Sequence, residues 1–416
     1  MEIILVCITA ILLVYTFSQQ RYRNSLLTLF ILLWFSIFLL YSFRLYNLYD
    51  CSETTFLIYL LGILSFFLGY KQSGKYRVKT KNNGVKKENK IKKYIFIFLS
   101  IISFVILLKK SILAIPFWLV GGSGLKEAII NENVLALSPI EEIIYSYIAR
   151  PMQIVLVIYA TIELSIGIKN KFIIPLAIAL TLAGYLSSGS KFSVFEIPIV
   201  ILSFQYFFGQ NNLLKYFKKH KILMLLVLGI CVFIFHMLGQ KDGSAFKSLY
   251  MYLCGCMPCS DNALDVICKT DPYYGLVSFN GIFRVLNLIP SLLGIGTEFK
   301  MTIDNTFLEF MEFEKTVYIG PDVPYNAFIS MFSYFYADGR YFGVLLLSFI
   351  FGFFCCRIFN SAKTNPSKFS YALVLLCFIM IYLSMVRFQL FLVHYVMSFV
   401  YIYVFFPKET LCRKRN

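Results

Sequence analysis

Long apolar runs recur along the chain, at about 3–18, 26–43, 55–70, 94–108, 151–168, 172–187, 192–208, 222–238, 341–359, 370–386 and 389–406. A helix rising about 1.5 Å per residue crosses a hydrocarbon core of roughly 30 Å in about twenty residues, so each run is long enough to span a bilayer or nearly so. The pattern predicts an all-α polytopic integral membrane protein with about eleven transmembrane helices. The apolar segment 111–120 is a candidate extension of the fourth.

Most connections between runs are short. The longer segments are 44–54, 109–150 and above all 239–340, which separates the eighth run from the ninth. This last segment is too apolar for a disordered linker. Its stretches "SLYMYLCGCMPC", "GIFRVLNLIPSLLGIG" and "NTFLEFMEF" have the pattern of short amphipathic helices lying on a membrane face. The chain therefore divides into N-terminal spans over 1–108, a loop over 109–150, central spans over 151–238, the large loop 239–340, and C-terminal spans with a tail over 341–416.

Composition agrees with the pattern. Of the 416 residues 59% are hydrophobic, 18% aromatic and only 15% charged, against about 25% charged in an ordinary soluble domain. The start "MEIILVCITAILLVYTF" carries Glu2 where a cleavable signal would carry basic residues, and no small-residue cleavage site follows. The first span is expected to be retained.

Charge then orients the helices. With the N-terminus outside and the C-terminus inside, the inner loops hold 25 of the 39 Lys and Arg residues and, among the acids, only Glu88 and Glu409. The outer side holds 14 basic and 18 acidic residues. This is the inward bias of basic residues seen in membrane proteins. The net charge of +17 is thus first a signal of topology. The run "KYRVKTKNNGVKKENKIKK" reads as a solvated loop touching anionic lipid, and no nucleic-acid partner is expected.

Among eleven cysteines, Cys7, Cys231, Cys355, Cys356 and Cys377 lie in or beside spans and read as small apolar packers. Cys254, Cys256, Cys259 and Cys268 cluster in the large loop. In an oxidising compartment that cluster favours one or two disulfides over unpaired thiols. A zinc site is disfavoured, since no histidine stands nearby at ligand spacing.

Motifs of soluble enzymes are missing. The chain has no phosphate-binding P-loop, no dinucleotide glycine fingerprint, no H-E-x-x-H and no G-x-S-x-G. With three histidines, a metal-hydrolase core is not expected.

Polar residues sharing one depth are more informative. Lys191, Glu196, His236, Arg387 and His394 come from four spans and all fall in the outer half of the bilayer. Charges there are costly unless paired or facing water, and usually mark a site. Each has a plainer reading singly: Lys191 and Arg387 snorkelling to lipid phosphates, Glu196 paired with Lys191, and both histidines as satisfied polar residues. Glu163, closer to the inner end of its span, reads as a local pair with a cytoplasmic lysine. Lys126, Arg150, Arg284 and Arg340 add outer cations. Guanidinium groups suit bidentate phosphate binding, so the set points to a lipid-linked phosphate or diphosphate. Aromatic stretches such as "TDPYYG" and "SMFSYFY" offer faces for sugar rings, or form the interfacial belt.

In the order of these features the chain resembles the bacterial oligosaccharide repeat unit polymerases, the Wzy or O-antigen polymerase type. "SSGSKF" at 187–192 corresponds to that family's small-residue turn with a basic residue. "SLYMYLCGCMPCSDNAL" at 248–264 resembles its tyrosine-and-glycine stretch, and "YNAFISMFSYFYADGRYFG" at 325–343 its Asn-containing segment leading to D-F-G-x-x-G. The resemblance covers roughly 180 to 410, with hydropathy agreement before it. Two departures stand out: Lys191 where arginine is commoner, and Gly339 and Arg340 where phenylalanine and glycine are expected.

The resemblance implies a multi-pass protein of the bacterial cytoplasmic (inner) membrane that builds O-antigen or capsular polysaccharide on its outer face. A growing glycan on undecaprenyl diphosphate would pass to a sugar hydroxyl of an incoming lipid-linked repeat unit. Partners would be that lipid-linked oligosaccharide, the bilayer, and a chain-length regulator and flippase, and the resemblance implies neither a metal nor another cofactor. Lys191, Arg284, Arg340 and Arg387 would bind diphosphate, with Lys126 and Arg150 in support. The base would be His236, Glu196 or Asp338, in that order, with Asn326 and Asp338 also organising the re-entry of the loop at the membrane. Asp338 and Asn326 have a plainer reading too, as caps of the ninth helix. The alternatives are an O-antigen ligase of similar architecture, and a flippase or other transporter, although neither matched halves nor a small outer loop is present.

Overall fold

A computed structural model of the chain describes residues 1–74, 90–119, 137–167, 172–188, 192–209, 245–313, 315–321, 323–326 and 329–409, with the side chains of 118–119, 192–196, 245, 316 and 326 left aside. The described fold is helical apart from one small hairpin. Among the described residues, five helices are long and apolar enough to cross a membrane: Glu53–Ser73, Lys90–Phe117, Pro139–Ser165, Met331–Thr364 and Lys368–Met385. Five shorter apolar helices, Glu2–Ser18, Leu26–Ser42, Ile173–Ser188, Ile197–Phe208 and Val393–Phe405, accompany them. Helices therefore stand at ten of the eleven expected positions, and the eighth, 222–238, lies outside the described residues. The fourth helix does continue through 111–119. The ninth begins at Met331 rather than 341, and the last begins at Val393 because 383–391 is occupied by two 3-10 turns.

The chain forms two units that interleave in sequence: Met1–Lys79, Leu226–Ser361 and Met380–Leu392 make the first, and Thr80–Leu225, Ala362–Ile379 and Val393–Asn416 the second.

The first unit contains α1 (Glu2–Ser18), α2 (Leu26–Ser42) and α3 (Glu53–Ser73). Its core is aromatic. Trp34 of α2, Tyr59 of α3 and Phe332 lie within 5.0–5.3 Å of one another, centroid to centroid. Ser25 caps α2 and Ser52 caps α3, each accepting a backbone N–H three residues on, as the N-terminus of a helix requires. The long segment after α3 folds as helices over Ala245–Cys254, Cys256–Ile267, Asn280–Leu292 and Thr297–Glu312, followed by an antiparallel hairpin, β1 (Thr316–Tyr318) with β2 (Pro324–Asn326), and then by the helix Met331–Thr364. Two glycines set the approach of that last helix to α3. A Cβ on Gly69 would collide with the carbonyl of Phe349, and one on Gly352 with the carbonyl of Phe66. The contact is reciprocal, each helix offering a glycine three residues after a phenylalanine. Close backbone packing of this kind is how membrane helices gain dispersion energy without a hydrophobic driving force.

In the second unit α4 (Lys90–Leu119) runs beside α7 (Ile173–Ser188), and the Ser111 hydroxyl donates across to the Ala183 carbonyl at 2.7 Å. The central element joins α5 (Pro139–Ile144) through a π-turn over Tyr145–Ala149 to α6 (Arg150–Ser165), and every residue from Pro151 to Ser165 is buried. Glu163 on α6 forms a buried ion pair of 3.0 Å not with a neighbouring lysine but with Lys368, at the start of the helix Lys368–Tyr382. In sequence that pair is not local. Numbering by chain order, α8 is Phe192–Phe208, α9–α12 are the four helices of the long segment, α13 is Met331–Thr364, α14 Lys368–Tyr382 and α15 Val393–Phe405.

Candidate functional site

The polar residues at the mouth of α13 are brought together by a break inside that helix. At Gly339 φ is −162°, an extended value open to any residue, whereas Arg340 has φ 54° and ψ −142°. Positive φ is costly for a residue with a Cβ and ordinary for glycine. The backbone thus asks for glycine at 340, one position after the glycine this chain supplies.

Asp338, just before the break, is buried at 4% exposure. Its Oδ1 accepts the backbone N–H of Gly275 at 3.0 Å and of Val277 at 3.1 Å, and its Oδ2 that of Ser278 at 2.8 Å. Main chain adds to this: the N–H groups of Tyr273 and Tyr274 donate to the carbonyls of Ala337 and Asp338, each at 3.0 Å. Gly275, with φ 94°, closes the turn. A carboxylate can satisfy several amides at once because it offers about four lone-pair sites. Asp338 therefore fastens the segment before α11 to the break in α13.

Around this knot the expected cations have found partners. Arg340 donates from Nη2 to the carbonyl of Thr270 and lies 5.4 Å from the Tyr336 ring, while its buried Nη1 has no hydrogen-bond partner among the described residues. Arg284 on α11 pairs with Asp304 of α12 at 2.6 Å and stacks 4.0 Å over Phe307. Tyr273 donates to Glu309 at 2.9 Å, and burial followed by that carboxylate raises its hydroxyl above the usual tyrosine range. Arg387 sits half-buried in the turns before α15, where Phe388 and Phe391 pack against Phe335 and Phe307. Gly281 lets α11 approach the carbonyls of Leu390 and Leu392, a space that a Cβ would fill.

Comparison of the chain with protein-family models, with curated proteins and with solved structures finds no match. Function must be argued from the residues alone.

Other expected site residues fall elsewhere. Lys126, Lys191 and His236 lie outside the described residues, as do the side chains of Glu196, in α8, and Asn326, whose backbone pairs with Thr316 in the hairpin. Of the group expected at one depth, Arg387 belongs to the first unit and His394 to the second, where it stacks on Tyr395 at 4.7 Å. Arg150 opens α6 in the second unit, 6.0 Å from the Tyr145 ring. Among the described residues no three His, Cys, Asp or Glu side chains are placed to hold a metal ion.

The disulfides expected in the long segment are absent. Cys254, Cys256, Cys259 and Cys268 form no disulfide, and the first three are buried on α9 and α10. Burial pushes the Cys254 thiol up to about 12 and that of Cys51 likewise to about 12, and it raises Cys256 as well. These sulfurs serve as small apolar packing groups. What ties the segment to α3 is instead Asp261 of α10, unremarked in the sequence, whose Oδ1 accepts from the Ser52 N–H at 3.0 Å, the Ser52 hydroxyl at 2.6 Å and the Thr55 hydroxyl. Beside it Ser260 accepts from the Tyr59 hydroxyl at 2.9 Å and from the Ser330 N–H at 3.0 Å.

Proposed function

We propose that the protein polymerises lipid-linked oligosaccharide repeat units on the outer face of a bacterial cytoplasmic membrane. The observation that carries this reading is the backbone at 340. The D-F-G-x-x-G pattern, laid on Asp338–Gly343, puts its phenylalanine at the extended position 339 and its first glycine at the one residue of the segment with φ 54°. Its second glycine falls on Gly343, where a Cβ would collide with the Phe335 carbonyl. The local geometry is the one such a pattern serves, and here an arginine occupies the glycine position and brings a cation to the mouth of the span.

In this reading the bond from the anomeric carbon of the donor glycan to its undecaprenyl diphosphate breaks as a sugar hydroxyl of the acceptor repeat unit attacks. The hydroxyl proton passes to a base and the diphosphate leaves as an anion. Arg340, whose buried Nη1 has no hydrogen-bond partner among the described residues, is the cation assigned to that leaving group, since a preorganised donor stabilises the charge that develops as the diphosphate leaves. Arg284 serves only by exchanging Asp304 for phosphate. Asp338 is a positioning residue, because its carboxylate is taken up by three amides. The base is then His236 or Glu196.

The test is incubation of the purified protein with an undecaprenyl-diphosphate-linked repeat unit as sole substrate. A product ladder spaced by one repeat, reduced at least tenfold by Arg340→Ala, is the expected result. Transfer of a finished glycan to lipid A core without any ladder would overturn the reading.

A further inference from the structure

The second unit holds a feature that none of the above uses. Gln153 on α6 is 1% exposed, and among the described residues neither its Oε1 nor its Nε2 has a hydrogen-bond partner. An amide buried with both ends unpaired is uncommon and costly. It is accommodated by Gly184 of α7, where a Cβ would come within 2.7 Å of the amide carbon. The helix interface therefore makes room for a polar group without satisfying it.

One turn away, at i−3 on the same face of α6, stands Arg150. Two cations flank the Tyr145 ring. Lys110 lies 4.1 Å from its centroid and is paired with Glu142 at 3.5 Å; Arg150 lies at 6.0 Å and, among the described residues, has no carboxylate partner. In this Arg150 contrasts with Arg284, which is tied to Asp304. The π-turn over Tyr145–Ala149 immediately precedes it, and such turns are frequent at functional sites because they re-aim the side chains that follow.

We infer that Arg150 and Gln153 form a binding site for the head group of a lipid-linked sugar phosphate, the guanidinium taking a phosphate oxygen and the amide a hydroxyl or acetamido group of the adjoining sugar. A fork of charged donors and a neutral donor–acceptor pair one helical turn apart, roughly 4.5 Å along the axis, match an anion directly joined to a hydroxylated ring. The ligand class rests on the glycosyl-transfer reading; the site itself rests on an amide without a hydrogen-bond partner and an arginine without a carboxylate partner among the described residues.

The full-length protein in detergent is titrated with undecaprenyl phosphate and, separately, with undecaprenyl diphosphate N-acetylglucosamine, and the ligand-induced shift in melting temperature is followed. For Gln153→Leu the unliganded protein should melt no lower than the parent, since a desolvated amide is removed, yet it should need about tenfold more of the sugar-bearing lipid for the same shift, the loss of a hydrogen bond or two. Its response to undecaprenyl phosphate should be unchanged. Arg150→Gln should lose the response to both lipids. If Gln153→Leu responds to the sugar-bearing lipid as the parent does, the amide merely packs against Gly184 and the inference falls. It falls equally if the parent responds to neither lipid. The repeat-unit ladder separates this from the function: a ladder with unaltered binding in both variants removes the site alone, whereas lipid binding that depends on both residues without a ladder removes the polymerase reading alone.

Discussion

The Oδ2 atom of Asp338 lies 2.8 Å from the amide nitrogen of Ser278, sixty residues earlier in the chain. That bond, with two more to Gly275 and Val277, converts one side chain into the anchor of a whole turn. Replacing Asp338 by alanine leaves three amides without their acceptor in a buried site. At about 1–3 kcal/mol for each buried unpaired group, relaxation and water entry included, the variant should lose on the order of 3 kcal/mol. Asp338→Asn keeps one acceptor oxygen and should lose about half as much. Thermal unfolding in detergent measures both, and an asparagine variant of unaltered stability but without activity would transfer Asp338 from positioning to chemistry.

Arg340 separates backbone from side chain. Arg340→Gly and Arg340→Ala both remove the contact with Thr270, but only glycine relaxes the positive φ. The glycine variant should be more stable than the alanine variant by about 1 kcal/mol, the cost of that backbone region to a residue with a Cβ. Equal melting temperatures would remove the strain argument and, with it, the support it lends to the proposed function.

Glycine substitutions should sort by what they strike. Gly62→Ala meets only the ring of Phe332, which can be cut back, so Phe332→Leu should restore part of the lost stability. Gly69→Ala and Gly352→Ala meet backbone carbonyls of Phe349 and Phe66, which cannot be shortened. Each should cost more than Gly62→Ala, about 1–3 kcal/mol as for other overpacked sites, with no rescue from a neighbouring side chain. Chemical unfolding of the four variants tests the order.

Thiol chemistry gives a dependence on pH. Cys51 and Cys254 are held protonated in the fold at about 12, whereas in the unfolded chain they ionise near the ordinary thiol value of about 8.5. Their contribution to stability is therefore complete below about 8.5 and declines as pH rises beyond it, toward 12. Maleimide at pH 7.5 should label the exposed Cys268 quickly and leave Cys254 and Cys256 unmodified until the protein unfolds. Rapid labelling of Cys254 in the folded protein would contradict its burial.

Hydropathy located the helices because burial in lipid or in a helical core leaves the same apolar signature, and for the same reason it set their ends poorly. The start of α13 at Met331 was hidden by Ser333, Tyr334, Tyr336 and Asp338, polar residues that the fold buries. Cysteine spacing was read as covalent, yet Cys256 and Cys259 are three apart on one helix and face one direction, a period that signals packing. Charge marks Asp338 and Arg340, whose formal charges stand out against an apolar background. It does not mark Gly275, Val277 and Ser278, whose part is played by backbone amides that no side chain advertises, nor Gln153, which is neutral. Nor does sequence disclose that Arg284 has an acid beside it, twenty residues away on a different helix.

The knot between Asp338 and the turn at Gly275–Ser278 also fixes an order of synthesis. The turn leaves the ribosome some sixty residues before its acceptor does, and those amides have nothing of their own to bond until α13 follows. The long segment must therefore wait, collapsed against water or lipid, until the ninth helix is threaded into the bilayer, and a chain truncated before Asp338 would carry α11 and α12 without a place to dock them.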